Sequence, residues 1–205
     1  AAPTVPVAVS VSGAAAAWSL NFTQDVTLFE SADRAGGHTC TVDVDYDGTS
    51  IPVDVGFIVF NERNYPNLSA LFDFLDVKSE ETNMSFALSL NRGQHEWCGI
   101  NLGTVFSQKA NIFSPSFIWM LREVLRFNKQ CLKDRDSGYL GNMTIGQYLN
   151  KRKFSKRFQD DYLIPMAAAI WSTPKVKMLA FPAMSFIQFF ENHRLLELEP
   201  PTWRT

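Results

Sequence analysis

Cysteine and histidine are scarce: the 205-residue chain holds three of each, all widely separated. Cys40, Cys98 and Cys131 are odd in number and form no C-x-x-C pair. That spacing argues against a disulfide framework and a zinc site, and for a reducing compartment. His38, His95 and His193 are equally dispersed, so no metal ligand set is expected. Long apolar runs are missing too. No stretch approaches the ~18 residues of a membrane span, and the N-terminus lacks the basic-then-apolar form of a signal peptide. These features predict a cytoplasmic protein, while N-x-S/T sequons at Asn21, Asn67, Asn83 and Asn142 leave secretion open. An excess of one charge sign is absent as well: 19 Lys+Arg face 21 Asp+Glu, for a net charge of -2. The balance gives no electrostatic drive toward nucleic acid or an anionic membrane. The most basic stretch, Lys151-Arg152-Lys153-Phe154-Ser155-Lys156-Arg157, is followed by Asp160-Asp161 and reads as a solvated helix face.

What is present is an ordinary globular composition, 46% hydrophobic and 20% charged, with 17 Phe mostly in apolar runs. The length suffices for one domain with a sizeable core, alone or with a small appended one. The phenylalanines are expected to build core or to line an apolar pocket. Residues 4–11 read as a short strand and 12–20 as a helix starting on Ser12-Gly13 with four alanines. Asp25–Glu30 reads as a buried strand. Strand, glycine-bearing turn, short helix and strand make a β-α-β unit and imply a parallel sheet. Cys40–Asp45 and Ile51–Val55 flank Tyr46-Asp47-Gly48, whose Asp-Gly pair signals a hairpin. After residue 61 the pattern becomes mainly helical. Asn64-Tyr65-Pro66-Asn67 caps a helix with Leu68, Leu71, Phe72 and Leu75 at helical spacing. Residues 83–98 alternate like a second hairpin around Asn91-Arg92-Gly93. Ser114-Pro115 opens a long amphipathic helix carrying Phe117, Ile118, Leu121, Leu125 and Phe127. Further helices are predicted near 144–150, 155–171 and 183–192.

The first turn carries the chemistry. Ala8-Val9-Ser10-Val11-Ser12-Gly13 fits the spacing of the dinucleotide-binding fingerprint G-x-G-x-x-G, with only its third glycine kept. In that fingerprint the first glycine makes the turn, the second lets a pyrophosphate approach, and the third permits close helix–strand packing. Gly13 keeps the third role and Ala8 can still turn. Ser10 puts a Cβ and a hydroxyl where the pyrophosphate would come, and Pro6 suits a central strand poorly. Glu30, 22 positions after Ala8, ends the second strand near the spacing at which an acid receives ribose hydroxyls. Arg34-Ala35-Gly36-Gly37 then offers a phosphate-pairing charge beside a backbone open to close approach.

The stretches VTLFESADRAGGHTCTVDV and VDVGFIVFNERNYPNL resemble the flavin-containing amine oxidase and carotenoid desaturase-like superfamily. The branch most similar is that of NAD/FAD-binding oxidoreductases. YLIPMAAAIWSTP, FPAMSFIQFFENHRLL and PPTWRT extend the resemblance over essentially the whole chain. It implies an α/β fold: a Rossmann-like FAD-binding portion over 1–61 and a mixed, mainly helical substrate-domain portion over 62–205. It also implies that Ala8, Ser10, Ser12 and Gly13 underlie an FAD pyrophosphate and that Glu30 holds the adenosine ribose. Arg34, Gly36 and Gly37 would border the pyrophosphate and ribityl chain, and Asp54-Val55-Gly56-Phe57, with Asp54, Gly56 and Phe57 matching D-x-G-F, would run close to the flavin. Trp171-Ser172-Thr173-Pro174 would lie near the substrate cavity. No catalytic side chain is marked, in keeping with a flavin that takes the hydride itself.

The implied activity is FAD-dependent hydride removal from an amine or an apolar, lipid-like small molecule. Members of the superfamily are about twice as long, and their C-terminal half completes the nucleotide-binding sheet. A homo-oligomer or a separate C-terminal half is therefore the expected partner, with no nucleic acid. A second reading stays open: a non-catalytic descendant of the fold that acts as a binding or interaction protein, to which the lost glycines point.

Overall fold

The computed structural model describes residues 5–8, 11–197 and 202–205, with side chains described from residue 12 onward. The chain divides into two compact units, Ala1–Phe60 with Arg204–Thr205, and Asn61–Trp203.

In the first unit, β1 (Val5–Ala8) leads into α1 (Val11–Leu20) and returns as β2 (Val26–Phe29). β1 and β2 are parallel, in the register Val5↔Val26 to Ala8↔Phe29, as a β-α-β crossover requires. β3 (Thr41–Tyr46) and β4 (Thr49–Asp54) form an antiparallel hairpin. Its turn residues Asp47 and Gly48 have φ of 53° and 81°, the left-handed pair of a two-residue hairpin turn that matches strand twist. The Gly48 N–H donates to Asp45 Oδ1 at 2.8 Å and closes it. Phe60 and Arg204 exchange backbone bonds of 2.9 Å in both directions.

Burial in this unit departs from expectation. The segment around β2, predicted as a buried strand, leaves Leu28 48% and Phe29 62% exposed. The described apolar side chains buried here are Ala17 and Phe60. The cause is architectural: among the described residues each sheet has two strands, and a two-stranded sheet has too little neighbouring structure to bury both of its faces.

The second unit contains the core. It runs through α2 (Pro66–Phe74), β5 (Glu81–Thr82), the hairpin β6 (Ala87–Leu90) and β7 (His95–Cys98), α3 (Leu102–Val105) and a 3₁₀ turn (Lys109–Phe113). Next come α4 (Pro115–Asp136), α5 (Ile145–Lys151), α6 (Lys156–Phe158), a π-helical turn (Gln159–Leu163), α7 (Ile164–Trp171), α8 (Lys175–Leu179) and α9 (Ala183–Asn192), and the unit ends at Trp203, the first residue of β8 (Trp203–Arg204). The Ser114 side chain caps α4 by accepting from the Phe117 N–H, and Pro115 stands at its first turn, where a missing N–H costs nothing. The predicted helix over 155–171 is interrupted by the π turn ahead of Pro165. α8 was not predicted, being too short for periodicity to register.

Phenylalanine builds this core. Phe117, Phe127, Phe158, Phe186 and Phe190 are fully buried. Phe154 and Phe158 stack at 4.9 Å and Phe186 and Phe190 at 4.4 Å between ring centroids. Each buried ring is worth roughly 1.5–3 kcal/mol. Trp171, expected at a cavity wall, packs on Phe181 and Phe189 at 5.4 and 4.5 Å. Leu125, expected on the apolar face of α4, is exposed, and lies roughly 160° round the helix from the buried Phe127.

Two carboxylates of α4 point inward. Asp134 Oδ2 accepts from Tyr148 Oη and Arg152 Nε, each at 2.8 Å, and Oδ1 accepts from Gln130 Nε2 at 2.9 Å and from Arg152 Nη2. Glu123 accepts from the Ser155 N–H at 2.9 Å, from its hydroxyl, and from Arg126 Nη2 at 3.3 Å. The stretch 151–157 is only in part the solvated helix face expected from sequence: Lys151, Lys153 and Lys156 are exposed, but most of it is a turn between α5 and α6. Arg152 is bound to Asp134, Phe154 is buried, and Lys153 turns the chain with φ 54°. Among the described residues Cys40, Cys98 and Cys131 are free thiols, and burial pushes the Cys131 thiol up to about 12. No described helix is long and apolar enough to cross a membrane.

Burial alone would raise the Asp134 pKa, but the hydrogen bonds from Arg152, Gln130 and Tyr148 outweigh it and hold the carboxyl below its ordinary value. Its stabilising contribution is complete above the unfolded-state pKa of ~3.9 and is lost as pH falls through the lower folded-state value. Asp134→Asn is expected to cost about 1–3 kcal/mol at neutral pH. Denaturant melts of both proteins from neutral to acidic pH check this, and the difference between them should shrink as pH falls.

Candidate dinucleotide-binding site

Parallel pairing brings the C-terminal ends of β1 and β2 to one edge. Ala8 pairs with Phe29, so Glu30 stands one residue beyond the partner of Ala8. α1 starts at Val11 and packs along both strands. Its first turn holds Ser12 and Gly13 and no acidic residue, so no local carboxylate offsets the positive end of its dipole. The edge thus pairs a helix N-terminus suited to an anion with an acid suited to a diol. Ala8 is described by its backbone, and Ser10 lies outside the described residues.

Glu30 Oε1 accepts from the N–H groups of Ser31 and Ala32 at 2.8 and 2.9 Å. Those two bonds fix the carboxylate at the strand end. Oε2 has no hydrogen-bond partner among the described residues.

The following loop closes on itself. Arg34 Nη1 donates to the Thr39 carbonyl at 3.0 Å and Nη2 to the Gly37 carbonyl at 2.7 Å. The charge expected to meet phosphate therefore also holds the loop shut. Gly36 and Gly37 have φ of 113° and 60°, and a Cβ at Gly36 would lie 2.8 Å from the Thr39 carbonyl oxygen. This is a backbone that glycine alone adopts without strain. The Asp54–Phe57 segment is bound to the end of that loop: the Val55 N–H donates to Cys40 at 2.8 Å and the Phe57 N–H to His38 at 3.0 Å. A Cβ at Gly56 would stand 1.6 Å from the His38 carbonyl oxygen. Asp54 accepts from Thr41 Oγ1 at 2.5 Å.

The residues named from sequence thus form two groups. Ala8, Ser12, Gly13 and Glu30 share the strand edge, while Arg34, Gly36, Gly37, Asp54, Gly56 and Phe57 share the paired loops a few residues on. The donors, the rigid acid and the glycine cradle fit an adenine dinucleotide in character.

One polar cluster escaped sequence reasoning. In the second unit, Arg157 Nε lies 3.3 Å from Asp161 Oδ2, Nη1 donates to Ser114 Oγ at 3.2 Å and to Ser116, and Nη2 lies 3.3 Å from His95 Nε2. Trp97 Nε1 donates to the Asp161 carbonyl at 3.2 Å, within the π turn. Burial and then the Arg157 charge push the His95 pKa down, against Asp161. The i,i+4 spacing of Arg157 and Asp161 was the one sequence signal for it. The cluster joins the start of α4 to the β6–β7 hairpin. Among the described residues no group of His, Cys, Asp and Glu could hold a metal ion.

A parallel β-α-β unit with this edge defines a Rossmann-like nucleotide-binding fold, here joined to a mainly helical unit. Residues 10–75 match the family model of the NAD(P)-binding Rossmann-like domain. The particular likeness is to putrescine oxidase. Its wild-type structure, solved in a study of cofactor binding with putrescine bound, has a TM-score of 0.60 and 19% identity and covers 98% of this chain and 46% of that one. A single-site mutant of the same oxidase gives a TM-score of 0.59 at 19% identity with the same coverage. A double mutant gives 0.55 at 20%, covering 91% and 42%. The chain therefore shares the fold of the matched part of putrescine oxidase and spans just under half of that protein's length. No curated protein sequence matches it significantly.

Gly56→Ala is expected to break the His38–Phe57 bond, because the methyl group cannot share space with the His38 carbonyl. Amide exchange at Val55 and Phe57 should then accelerate by at least about tenfold, with α4 unaffected. Hydrogen–deuterium exchange resolved by peptide checks both halves.

Proposed function

We propose that the chain is the dinucleotide-binding and helical part of an FAD-dependent oxidoreductase that removes a hydride from an amine or an apolar small molecule. The observation that carries the reading is Glu30, fixed at the C-terminal end of β2 beside the end of β1 and the acid-free start of α1. When bound, FAD supplies the hydride acceptor. This chain's residues bind and orient it. Ser12 and Gly13, in the first turn of α1, would hold the pyrophosphate, together with Ala8 and Ser10 at the fingerprint's first two glycine positions in the sequence. Glu30 Oε2 accepts from the adenosine ribose. Arg34, Gly36 and Gly37 border the pyrophosphate and ribityl chain, and Asp54, Gly56 and Phe57 run beside the ring system. No side chain of this chain is assigned a proton-transfer role.

The exposed strands of the first unit favour further polypeptide over them, whether from a C-terminal half or a second copy, since open apolar strand edges invite pairing. A second reading is supported by Ser10 standing where the fingerprint's second glycine lets a pyrophosphate approach, with Ala8 in place of the first. On that reading the fold persists as a binding protein without flavin.

Titration of the purified chain with FAD, followed by desalting and an absorption spectrum, separates the two. The oxidoreductase reading predicts retained flavin bands, with affinity about tenfold weaker in Glu30→Ala and tighter in Ser10→Gly. A colourless protein that takes up no added FAD supports the binding-protein reading instead.

A further inference from the structure

The second unit carries a basic face that the chain's net charge of -2 conceals. On α4, Arg122, Arg126, Lys129 and Lys133 are exposed and recur at spacings that place them on one stripe. The two acids in the same stretch of helix, Glu123 and Asp134, are 2% and 3% exposed and already held by Ser155 and Arg152. Arg126 also pairs with Glu123 at 3.3 Å, but the other three cations of the stripe point outward away from both acids, so the face is neutralised at one position only.

The connection after α5 widens it. Arg126 Nη2 donates to the Lys153 carbonyl at 3.4 Å and its guanidinium covers the Phe154 ring at 4.1 Å. This lays residues 151–156 alongside α4 and adds Lys151, Lys153 and Lys156, all exposed. Arg122, Lys129, Lys133, Lys153 and Lys156 have no ion-pair partner among the described residues. Lys153 sits at φ 54°, a conformation that favours glycine or asparagine, and there it presents an ammonium group at the turn. The remaining exposed acid of α4, Asp136, is bound by Arg135 at 2.9 Å.

Exposed apolar groups stand on the same helix and in the turn just before it. Trp119, one turn before Arg122 on the stripe, is 55% exposed, and Phe113 in the preceding 3₁₀ turn is 85% exposed beside Ile112. Cations flanked by an exposed indole, a phenyl ring and an aliphatic side chain suit a bilayer interface, where headgroups meet the charges and the acyl boundary takes the apolar tips. A polynucleotide would leave Ile112 and Leu125 with nothing to bury against.

We propose that this face docks the protein on membranes of anionic phospholipid, as a peripheral contact that spans nothing. The proposal is independent of flavin binding. Each cation near an anionic surface contributes about fivefold to binding.

The test is co-sedimentation of the full chain with vesicles of phosphatidylcholine alone and with about 30 mol% phosphatidylserine. Binding is expected to the anionic vesicles only and to weaken with salt. The double variant Lys129→Glu/Lys133→Glu should lose at least about 25-fold. Phe113→Ala/Trp119→Ala should remove the salt-resistant part, and Lys78→Glu, outside these elements, should bind nearly as the parent does. All substituted side chains are exposed, and circular dichroism confirms that the variants fold. Equal binding to both vesicle types, equal losses in Lys78→Glu and the double variant, or retention on poly(U) without vesicle binding would overturn the proposal.

Discussion

The second unit depends on two carboxylates that its longest helix cannot leave unpaired. Glu123 and Asp134 lie in the buried wall of α4, where an ionised group without partners would cost several kcal/mol (roughly 3–5). Ser155 satisfies one, and Tyr148, Gln130 and Arg152 satisfy the other. Because Tyr148, Arg152 and Ser155 come from α5 and the turn after it, while Gln130 belongs to α4 itself, the pairs set where the 148–155 segment lies. Phe154 and Phe158 are thereby delivered to Phe127, at centroid distances of 5.6 and 5.5 Å. Packing then does what charge pairing cannot: it supplies most of the stabilisation, while the paired acids fix the register.

The first unit is organised by the opposite principle. Its geometry comes from backbone pairing, the parallel register of β1 with β2 and the β3–β4 hairpin, with few buried side chains to reinforce it. The candidate site follows from that. Its fixed points are main-chain features, namely the helix start, the strand ends and the glycine turns, together with one carboxylate held by two amides.

The legible parts of the sequence were those written in local chemistry. Asp47-Gly48 and Asn91-Arg92-Gly93 specify left-handed turn residues, and the structure has both hairpins. Ser114-Pro115 marks the start of α4 to the residue. The β-α-β order is equally plain from Val5 to Glu30. Tertiary burial was not legible. The apolar segment around β2 gives no sign that its faces lie open, because periodicity reports what a strand could bury and not what covers it. The basic run 151–157 looked solvated because Asp134, which takes Arg152, lies 18 positions earlier. For the site, Gly56 was named for its place in a resemblance. The clash with His38 that demands glycine there becomes visible only in three dimensions.

On the proposed function, the β1–α1–β2 edge takes the adenosine diphosphate half of a dinucleotide, with Glu30 on its ribose. The most direct measurement is a competition titration in which bound FAD is challenged separately with ADP and with FMN. The account predicts that ADP displaces FAD and that FMN does not, since the edge reads ribose and pyrophosphate. Displacement by FMN with no effect of ADP would contradict it.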